Sequence, residues 1–340
     1  MTIRVAINGF GRMGRLALRD LMELNDVEVV HINETACDAA SSAHLMNFDS
    51  AHGRWWHEAK ASDAGDAIEV GGQRIGYSMN KAIEDTAWGE MNLDVVLEAT
   101  GKFRTQSALQ PYLDQGVPQV VVAAPMKEGI KNIVMGINDD IFVPGQDPII
   151  TGASCTTNCI APVIKVLHEQ IGIKHGTITT MHNLTNTQKV VDHGHADLRR
   201  ARASFQSLIP TTTGSATAIG TIFPALNGKL NGLAVRVPFM NASLTDLVME
   251  MDRETSVVEV NGLFEQAAQT YLQGILGFEN RPLVSADYEG ERCSSVIDGL
   301  STLVVNGTQV KVLAWYDNEV GYVARWVELA IKSAKLNQAC

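Results

Sequence analysis

Short strand-like and helix-like runs of apolar residues take turns along the first half of the chain. Ile3-Arg4-Val5-Ala6-Ile7-Asn8 reads as a short strand, and helical periodicity follows it as far as Leu24. Val27-Glu28-Val29-Val30-His31-Ile32-Asn33 predicts a second strand. Further strand-like runs stand at Asp94 to Glu98 and Gln119 to Val122, separated by a helix-like stretch from Thr105 to Gln115. This order of strand, helix and strand predicts an α/β domain built on a doubly wound parallel sheet. Beyond residue 159 the rhythm changes. Longer alternating runs such as Gly176 to Thr180 and Val248 to Met251 predict a second, α+β domain with a mostly antiparallel sheet. Just before it, Ile160, Val163, Ile164 and Leu167 recur at helical spacing and place Cys155 in the first turn of a helix. Residues 183–210 follow neither period; this polar stretch, with Arg199, Arg200 and Arg202, predicts a long ordered loop of the kind that usually carries function.

Size supports two domains, since 340 residues and 36.8 kDa exceed a usual single core. With 45% apolar residues, 19% charged residues and 29 glycines, the composition is that of a compact α/β protein. A net charge of −11 excludes a broad nucleic-acid footprint, though not a local site for a small anion. The first strand begins with no charged and apolar leader before it, and no apolar run approaches the roughly 20 residues that cross a bilayer. A soluble, cytoplasmic protein with no membrane partner is therefore expected. Five scattered cysteines (Cys37, Cys155, Cys159, Cys293 and Cys340) lack both disulfide-scaffold density and zinc-site spacing, so reduced thiols and no metal are expected.

Between the first strand and its helix lies Gly9-Phe10-Gly11-Arg12-Met13-Gly14. In this context G-x-G-x-x-G is a dinucleotide-binding, Rossmann-type signature: a tight turn, close approach of backbone to a pyrophosphate, and close packing of helix on strand. Glu34 ends the second strand about 20 residues after Gly14, which suits an acceptor for a ribose hydroxyl. Thr100 and Gly101 follow the strand ending at Glu98, where an open parallel sheet places its ligand crevice; they read equally well as an ordinary turn.

The chemistry is concentrated in Ser154-Cys155-Thr156-Thr157-Asn158-Cys159 and in His182, which lies 27 residues after Cys155. At a helix start, free amides and the positive dipole end favour a thiolate, so Cys155 is a candidate nucleophile and His182 its base. A cysteine attacking an aldehyde gives a hemithioacetal whose hydride can pass to a nicotinamide, leaving a thioester that needs a second nucleophile. Thr185, Thr187 and Arg236 could bind one phosphate, and Thr156, Thr213 and Gly214 another. The blander readings are a buried thiol, a structural histidine and threonines that serve turns and caps.

Together these residues resemble one family, the phosphorylating glyceraldehyde-3-phosphate dehydrogenases. The resemblance spans essentially the whole chain and rests on Asn8 to Arg15, Ala153 to Cys159, Asp197-Leu198-Arg199-Arg200-Ala201-Arg202-Ala203, Ile209 to Gly214, Val235-Arg236-Val237-Pro238, and Trp315-Tyr316-Asp317-Asn318-Glu319. It implies NAD-dependent oxidation of D-glyceraldehyde 3-phosphate, with Cys155 as nucleophile and His182 as base. Thr185, Thr187 and Arg236 would hold the substrate C3 phosphate; Ser154, Thr156, Thr213 and Gly214 would hold the attacking inorganic phosphate. Asn318 would fix the nicotinamide carboxamide, with Tyr322 nearby. A homotetramer is implied, with the 183–210 loop at subunit contacts. The expected organisation is a dinucleotide-binding domain over residues 1–154, a catalytic domain over 155–317, and a C-terminal helix over 318–340 that returns to the cofactor domain.

Departures from the family pattern bear on cofactor and acceptor. Asn33-Glu34-Thr35 stands where NAD-preferring members commonly have Asn-Asp-Pro, and His193-Gly194 removes bulk that would crowd a 2′-phosphate, which keeps NADP open. Glu34 would repel a 2′-phosphate and accept from a 2′-hydroxyl, so NAD is the expected cofactor. The Asn33-Glu34 ending and the run from Asp49 to Trp55 resemble two side branches. One is erythrose-4-phosphate dehydrogenase, whose members usually lack the intact turn seen here at Thr211 to Gly214. The other is associated with arsenate-resistance operons, where arsenate replaces phosphate and a partner transporter exports 1-arseno-3-phosphoglycerate. Phe103-Arg104-Thr105 and Pro125-Met126-Lys127-Glu128-Gly129 resemble the latter. A third reading is an NAD-binding regulatory protein without catalysis, against which the intact Cys155, His182, Arg236 and Asn318 count.

Overall fold

β1 (Ile3–Asn8) and β2 (Val27–Asn33) pair in parallel at the centre of an eight-stranded sheet in the computed structural model, which describes residues 2–126 and 129–340. Lys127 and Glu128, two residues of the run that resembles the arsenate-associated branch, lie outside the described residues. On one side of β1 come Val95–Glu98, Val120–Val122 and Ile149–Thr151, all parallel; on the other side of β2 comes Gln73–Ser78, also parallel. Ala67–Val70 and Lys60–Ala61 extend that edge in antiparallel fashion. The helices are α1 (Arg12–Leu21), α2 (Ala39–Asn47) and α3 (Gln106–Asp114). α1 stops short of the expected Leu24 because its last turn tightens: Glu23 and Leu24 donate to carbonyls three residues back, at Asp20 and Leu21. α2 and α3 begin where Asp38 and Thr105 accept from Ser41 N (2.8 Å) and Ala108 N (3.2 Å). Trp88, Tyr112, Val96 and Val120 form part of the core on one face of the sheet.

The chain divides into two units: one runs to Ala153 and takes back Val323–Cys340, the other is Ser154–Tyr322. The cuts expected after residues 154 and 317 thus fall after 153 and 322. Within the first unit the C-terminal segment is tied to the sheet by Trp326, whose Nε1 donates to Val121 O at 3.2 Å, and by Asn337, which donates to Gln119 Oε1 at 2.9 Å.

The second unit holds α4 (Cys155–Gln170), α5 (Ser215–Ile222) and α6 (Val257–Gln269) beside another eight-stranded sheet, and α7 (Val320–Gln338) starts at its end. Most strand pairs are antiparallel, with alternating burial along Ser243–Met251, as the sequence pattern predicts. Of the two parallel pairs, one positions the site. Ile173–His182 runs parallel to Leu230–Arg236 in a register that ends on His182 opposite Arg236. On its other side it pairs with Ser243–Met251, whose Ser243 stands opposite Tyr316 of the next strand, Gln309–Tyr316. Histidine, arginine, serine and tyrosine therefore gather at one end of the sheet. Between Ile173–His182 and Ile209–Thr212 the chain forms the long loop, cross-tied by His193 N to Ala201 O (2.9 Å), Ser204 N to Lys189 O (2.9 Å) and Ala203 N to Asp192 Oδ1 (2.8 Å).

Candidate active site

Ser154 caps α4 by accepting from Thr157 N at 3.1 Å, which fixes Cys155 as the first helical residue. The Thr156 amide faces the Cys155 sulfur. Cys159, one turn on, points into the core, where its sulfur lies 3.6 Å from Ser295 Oγ and 3.7 Å from Thr245 Oγ1. Burial pushes that thiol up to about 12, which leaves it inert beside Cys155. The expected low-pKa thiol at Cys155 needs correction. Burial pushes the Cys155 thiol up in the free chain, and hydrogen bonds from Thr156 and Asn318 and the charge of Arg236 only partly offset it, because stripping water from a thiolate costs more than these groups return.

His182, buried at the strand end, places Nε2 3.8 Å from Cys155 Sγ. Burial, with help from the Arg236 charge, brings its pKa down to about 4, so the ring is neutral at pH 7 and free to accept a proton. Its Nδ1 lies 2.9 Å from Asn183 O and 2.7 Å from Arg236 Nη1. Asn318 completes the set: Nδ2 is 3.4 Å from His182 Nε2 and 4.0 Å from Cys155 Sγ. Ser243 holds that amide in one orientation by donating to Asn318 Oδ1 at 2.7 Å while accepting from Asn183 N at 3.0 Å. Asp317, beside it, caps α7 by accepting from Glu319 N and Val320 N, each at 2.8 Å.

The anion-binding candidates fall into separate groups. Arg236 spends its hydrogen bonds on His182 and Asn183, and its buried Nε has no partner among the described residues. Thr185 and Thr187 bring their hydroxyls 3.0 Å apart on the surface. Thr213 Oγ1 donates to Ser215 Oγ at 3.1 Å, beside Gly214 at the start of α5. The Ser154 hydroxyl is taken by capping, and Thr156 Oγ1 lies 2.8 Å from Tyr316 OH. Both hydroxyls therefore serve the protein, leaving the backbone amides of this turn as the groups best placed for an anion.

In the first unit a crevice at the carboxyl ends of the strands is lined by Asn8, Gly9, Gly11, Asn33, Glu34 and Thr100, together with Thr35, Asn80, Lys81, Ala99, Lys102 and Phe103. Gly9 has φ +94°, and a Cβ there would lie 2.5 Å from Thr100 N; one on Gly14 would lie 2.1 Å from Gly9 O. A Cβ on Gly11 would meet nothing within 4 Å, so protein packing makes no demand for glycine there. The Glu34 carboxylate accepts from Phe10 N (2.7 Å) and Ala36 N (2.8 Å), bracing the glycine turn. Asn33 is committed internally, donating to Asn8 Oδ1 (2.8 Å) and Asn80 O (3.0 Å). Arg12 pairs with Asp49, whose carboxyl is opposed by burial but is carried down to about 2 by the His52 amide, Arg12 and the Ala51 amide. Met13 is half-buried in the first turn of α1, Phe10 is buried, and Gly101 sits exposed at φ +67°.

Two family models match the chain: glyceraldehyde 3-phosphate dehydrogenase, NAD binding domain, over residues 3–106, and glyceraldehyde 3-phosphate dehydrogenase, C-terminal domain, over residues 154–318. The chain belongs to the glyceraldehyde-3-phosphate dehydrogenase family. It is 58% identical over 335 residues to glyceraldehyde-3-phosphate dehydrogenase 3 of Nostoc sp. (strain PCC 7120), covering 98% of this chain and 99% of that one. It is 48% identical over 330 residues to glyceraldehyde-3-phosphate dehydrogenase of Geobacillus stearothermophilus (97% and 98% covered), and 45% identical over 335 residues to enzyme 1 of Bacillus subtilis (98% and 99%).

Membership makes the protein an NAD-dependent oxidoreductase, and the crevice fits that cofactor. The open space at the Gly11 Cβ position admits a pyrophosphate against the backbone at the start of α1, and Glu34 presents a carboxylate beside the glycine turn. The sequence did not single out Ser243, Asn183 and Tyr316 around the candidate pair Cys155 and His182, nor Asn80, Lys81 and Lys102 in the crevice. Tyr316 alone carried a signal, as part of the Trp315 to Glu319 run. Tyr322 is buried at the start of α7 in the second unit, where burial pushes its hydroxyl far above the usual tyrosine range.

Proposed function

We propose that the protein oxidises D-glyceraldehyde 3-phosphate through a thioester on Cys155 and passes the acyl group to inorganic phosphate or arsenate. The observation that carries this reading is the 3.8 Å approach of His182 Nε2 to Cys155 Sγ at the start of α4. Neutral His182 takes the thiol proton as sulfur bonds to the aldehyde carbon, and the protonated ring then steadies the oxygen that gains charge. NAD, when bound, supplies the acceptor for the hydride lost as the hemithioacetal becomes a thioester. An oxyanion held by the amides of the α4 turn with Ser154, Thr156, Thr213 and Gly214 then attacks the thioester carbon; the C–S bond breaks and Cys155 is restored. Phosphate and arsenate are nearly isosteric tetrahedral anions, so the same groups receive either. Arg236, with an unused buried Nε, receives the C3 phosphate together with Thr185 and Thr187.

Glu34 favours NAD over NADP by repelling a 2′-phosphate, and Asn318 is assigned to the nicotinamide carboxamide. A homotetramer in the cytoplasm is the expected working form. Val190, Val191, Leu198 and Leu208, each at least 69% exposed along the long loop, support subunit contacts there. The test is the initial rate of NADH formation with D-glyceraldehyde 3-phosphate and NAD, with phosphate or arsenate added in parallel, repeated with D-erythrose 4-phosphate. A strong rate that requires either anion supports the reading; an anion-independent rate favouring erythrose 4-phosphate overturns it.

A further inference from the structure

Gln188 lies buried beneath two exposed threonines, Thr185 and Thr187, near the start of the long loop. The backbone amide of Thr185 donates to Gln188 Oε1 at 2.9 Å, and a backbone N–H can only donate, so this contact fixes which end of the side-chain amide is which. The oxygen faces Thr185 and the nitrogen faces Thr187. Nε2 accordingly donates to Thr187 Oγ1 at 3.1 Å, and the Thr185 hydroxyl donates to Oε1 at 2.9 Å. The Gln188 backbone N–H donates back to Thr185 O at 2.9 Å, which closes the turn under the pair.

The two hydroxyls, 3.0 Å apart, have two protons between them, and the amide decides what those protons can do. With the Thr185 proton on Oε1, the contact between the hydroxyls is made by the Thr187 proton. Thr187 Oγ1 meanwhile accepts from Nε2, so it stays bonded to the protein when its own proton turns outward. Thr185 can release its proton as well, because Oε1 keeps the Thr185 amide. Both O–H groups can therefore turn to an anion, where charge-assisted bonds are the stronger ones, without stranding a polar atom of the buried amide.

We propose that Gln188 is a positioning residue for phosphate recognition: its amide, held in one orientation by Thr185 N, sets the Thr185 and Thr187 hydroxyls side by side as a pair of donors to the substrate C3 phosphate. The inference rests on the reading of these threonines as phosphate ligands. It makes the buried amide, and not the hydroxyls alone, a determinant of the preference for a phosphorylated aldehyde. A carboxylate in its place has no donor for Thr187 Oγ1; it draws the Thr187 proton inward and sets a negative charge beneath the phosphate.

Initial-rate kinetics of the full-length protein and its Gln188→Glu variant, with D-glyceraldehyde 3-phosphate and with unphosphorylated glyceraldehyde, test this, and Thr187→Val tests the underlying reading. Gln188→Glu should raise the ratio of the phosphorylated to the unphosphorylated KM about tenfold, the equivalent of one charge-assisted hydrogen bond, with a much smaller fall in kcat. Gln188→Met keeps the length of the side chain, loses its bonds and adds no charge; it should raise the ratio about fivefold, and it decides the matter if the glutamate variant does not fold. A ratio that Thr187→Val raises but the Gln188 variants leave unchanged would overturn the inference. Equal rises in both KM values in those variants would overturn it too, since a general structural role has no preference for the phosphate. If Thr187→Val itself leaves the ratio unchanged, the phosphate assignment of the threonine pair fails, and the inference with it.

Discussion

Ser243 ties Asn318 and Asn183 together beside the candidate pair Cys155 and His182, and Ser243→Ala should expose that. The residue is fully buried, and its hydroxyl donates to Asn318 Oδ1 at 2.7 Å while accepting from Asn183 N at 3.0 Å; it also reaches the Tyr316 hydroxyl. Alanine removes all three contacts without filling the gap. The Asn183 amide is left buried without a partner, at a cost of about 1–3 kcal/mol, and the lost neutral bond to Asn318 adds about 1 kcal/mol. The sum, about 3 kcal/mol, corresponds to a fall in thermal midpoint of roughly 6–12 °C for a unit of this size. Catalysis should suffer as well, because Asn318 is free to turn its carbonyl toward His182 and Asn183 O no longer has a fixed distance to Nδ1. A loss of about 1.4 kcal/mol of alignment lowers kcat/KM about tenfold. Differential scanning calorimetry and initial-rate kinetics at 25 °C, well below the transition, separate the two effects. A variant with an unchanged midpoint and kcat/KM within twofold of the parent would refute the assignment of Ser243 as the anchor of both asparagines.

Arg236→Ala should raise KM for D-glyceraldehyde 3-phosphate about a hundredfold, from loss of about 3 kcal/mol of charged hydrogen bonding, and change KM for unphosphorylated glyceraldehyde only a few-fold; equal effects on both would contradict the phosphate role. Burial holds both His31 and His182 near 4, whereas an unfolded histidine titrates near 6.5. Between these values the unfolded chain binds more protons, so stability is complete above about pH 6.5 and falls as pH drops toward 4, by roughly 2 kcal/mol per ring between pH 7 and 5. Urea denaturation at the two pH values should show a smaller loss in His31→Gln than in the parent, and an identical loss would contradict the account. Glu98, 1% exposed, accepts from Thr100 N at 2.8 Å and from Asn8 Nδ2 and Tyr112 OH at 2.9 Å. Glu98→Gln turns a donor toward these donors, and NADH fluorescence titration should show cofactor affinity reduced about fivefold to tenfold, for roughly 1 kcal/mol; unchanged affinity would contradict a bracing role for Glu98.

The glycine turn, β1, β2 and α4 were legible because each rests on local physics: period, turn chemistry and a capping serine. Cys155 and His182 could be read for the same reason, as a helix start and a strand end. The edge of the first sheet was not, since Lys60–Ala61 and Ala67–Val70 are too short to display a period. Nor were Asn183, Ser243 and the facing of Arg236 on His182. Those depend on the parallel register that sets His182 opposite Arg236 and on the antiparallel register that sets Ser243 opposite Tyr316. The upward displacement of the Cys155 thiol was likewise hidden, because a helix N-terminus can be read from residues but the burial that opposes it cannot.

The central claim is that Cys155 carries the acyl group, and quenched-flow intact-mass analysis with peptide mapping tests it most directly. With D-glyceraldehyde 3-phosphate and NAD in the absence of phosphate and arsenate, one acyl adduct per chain should accumulate on the Cys155 peptide, disappear when either anion is added, and be missing in Cys155→Ser. Sustained NADH formation with no adduct on Cys155, or an adduct on another cysteine, would contradict the account.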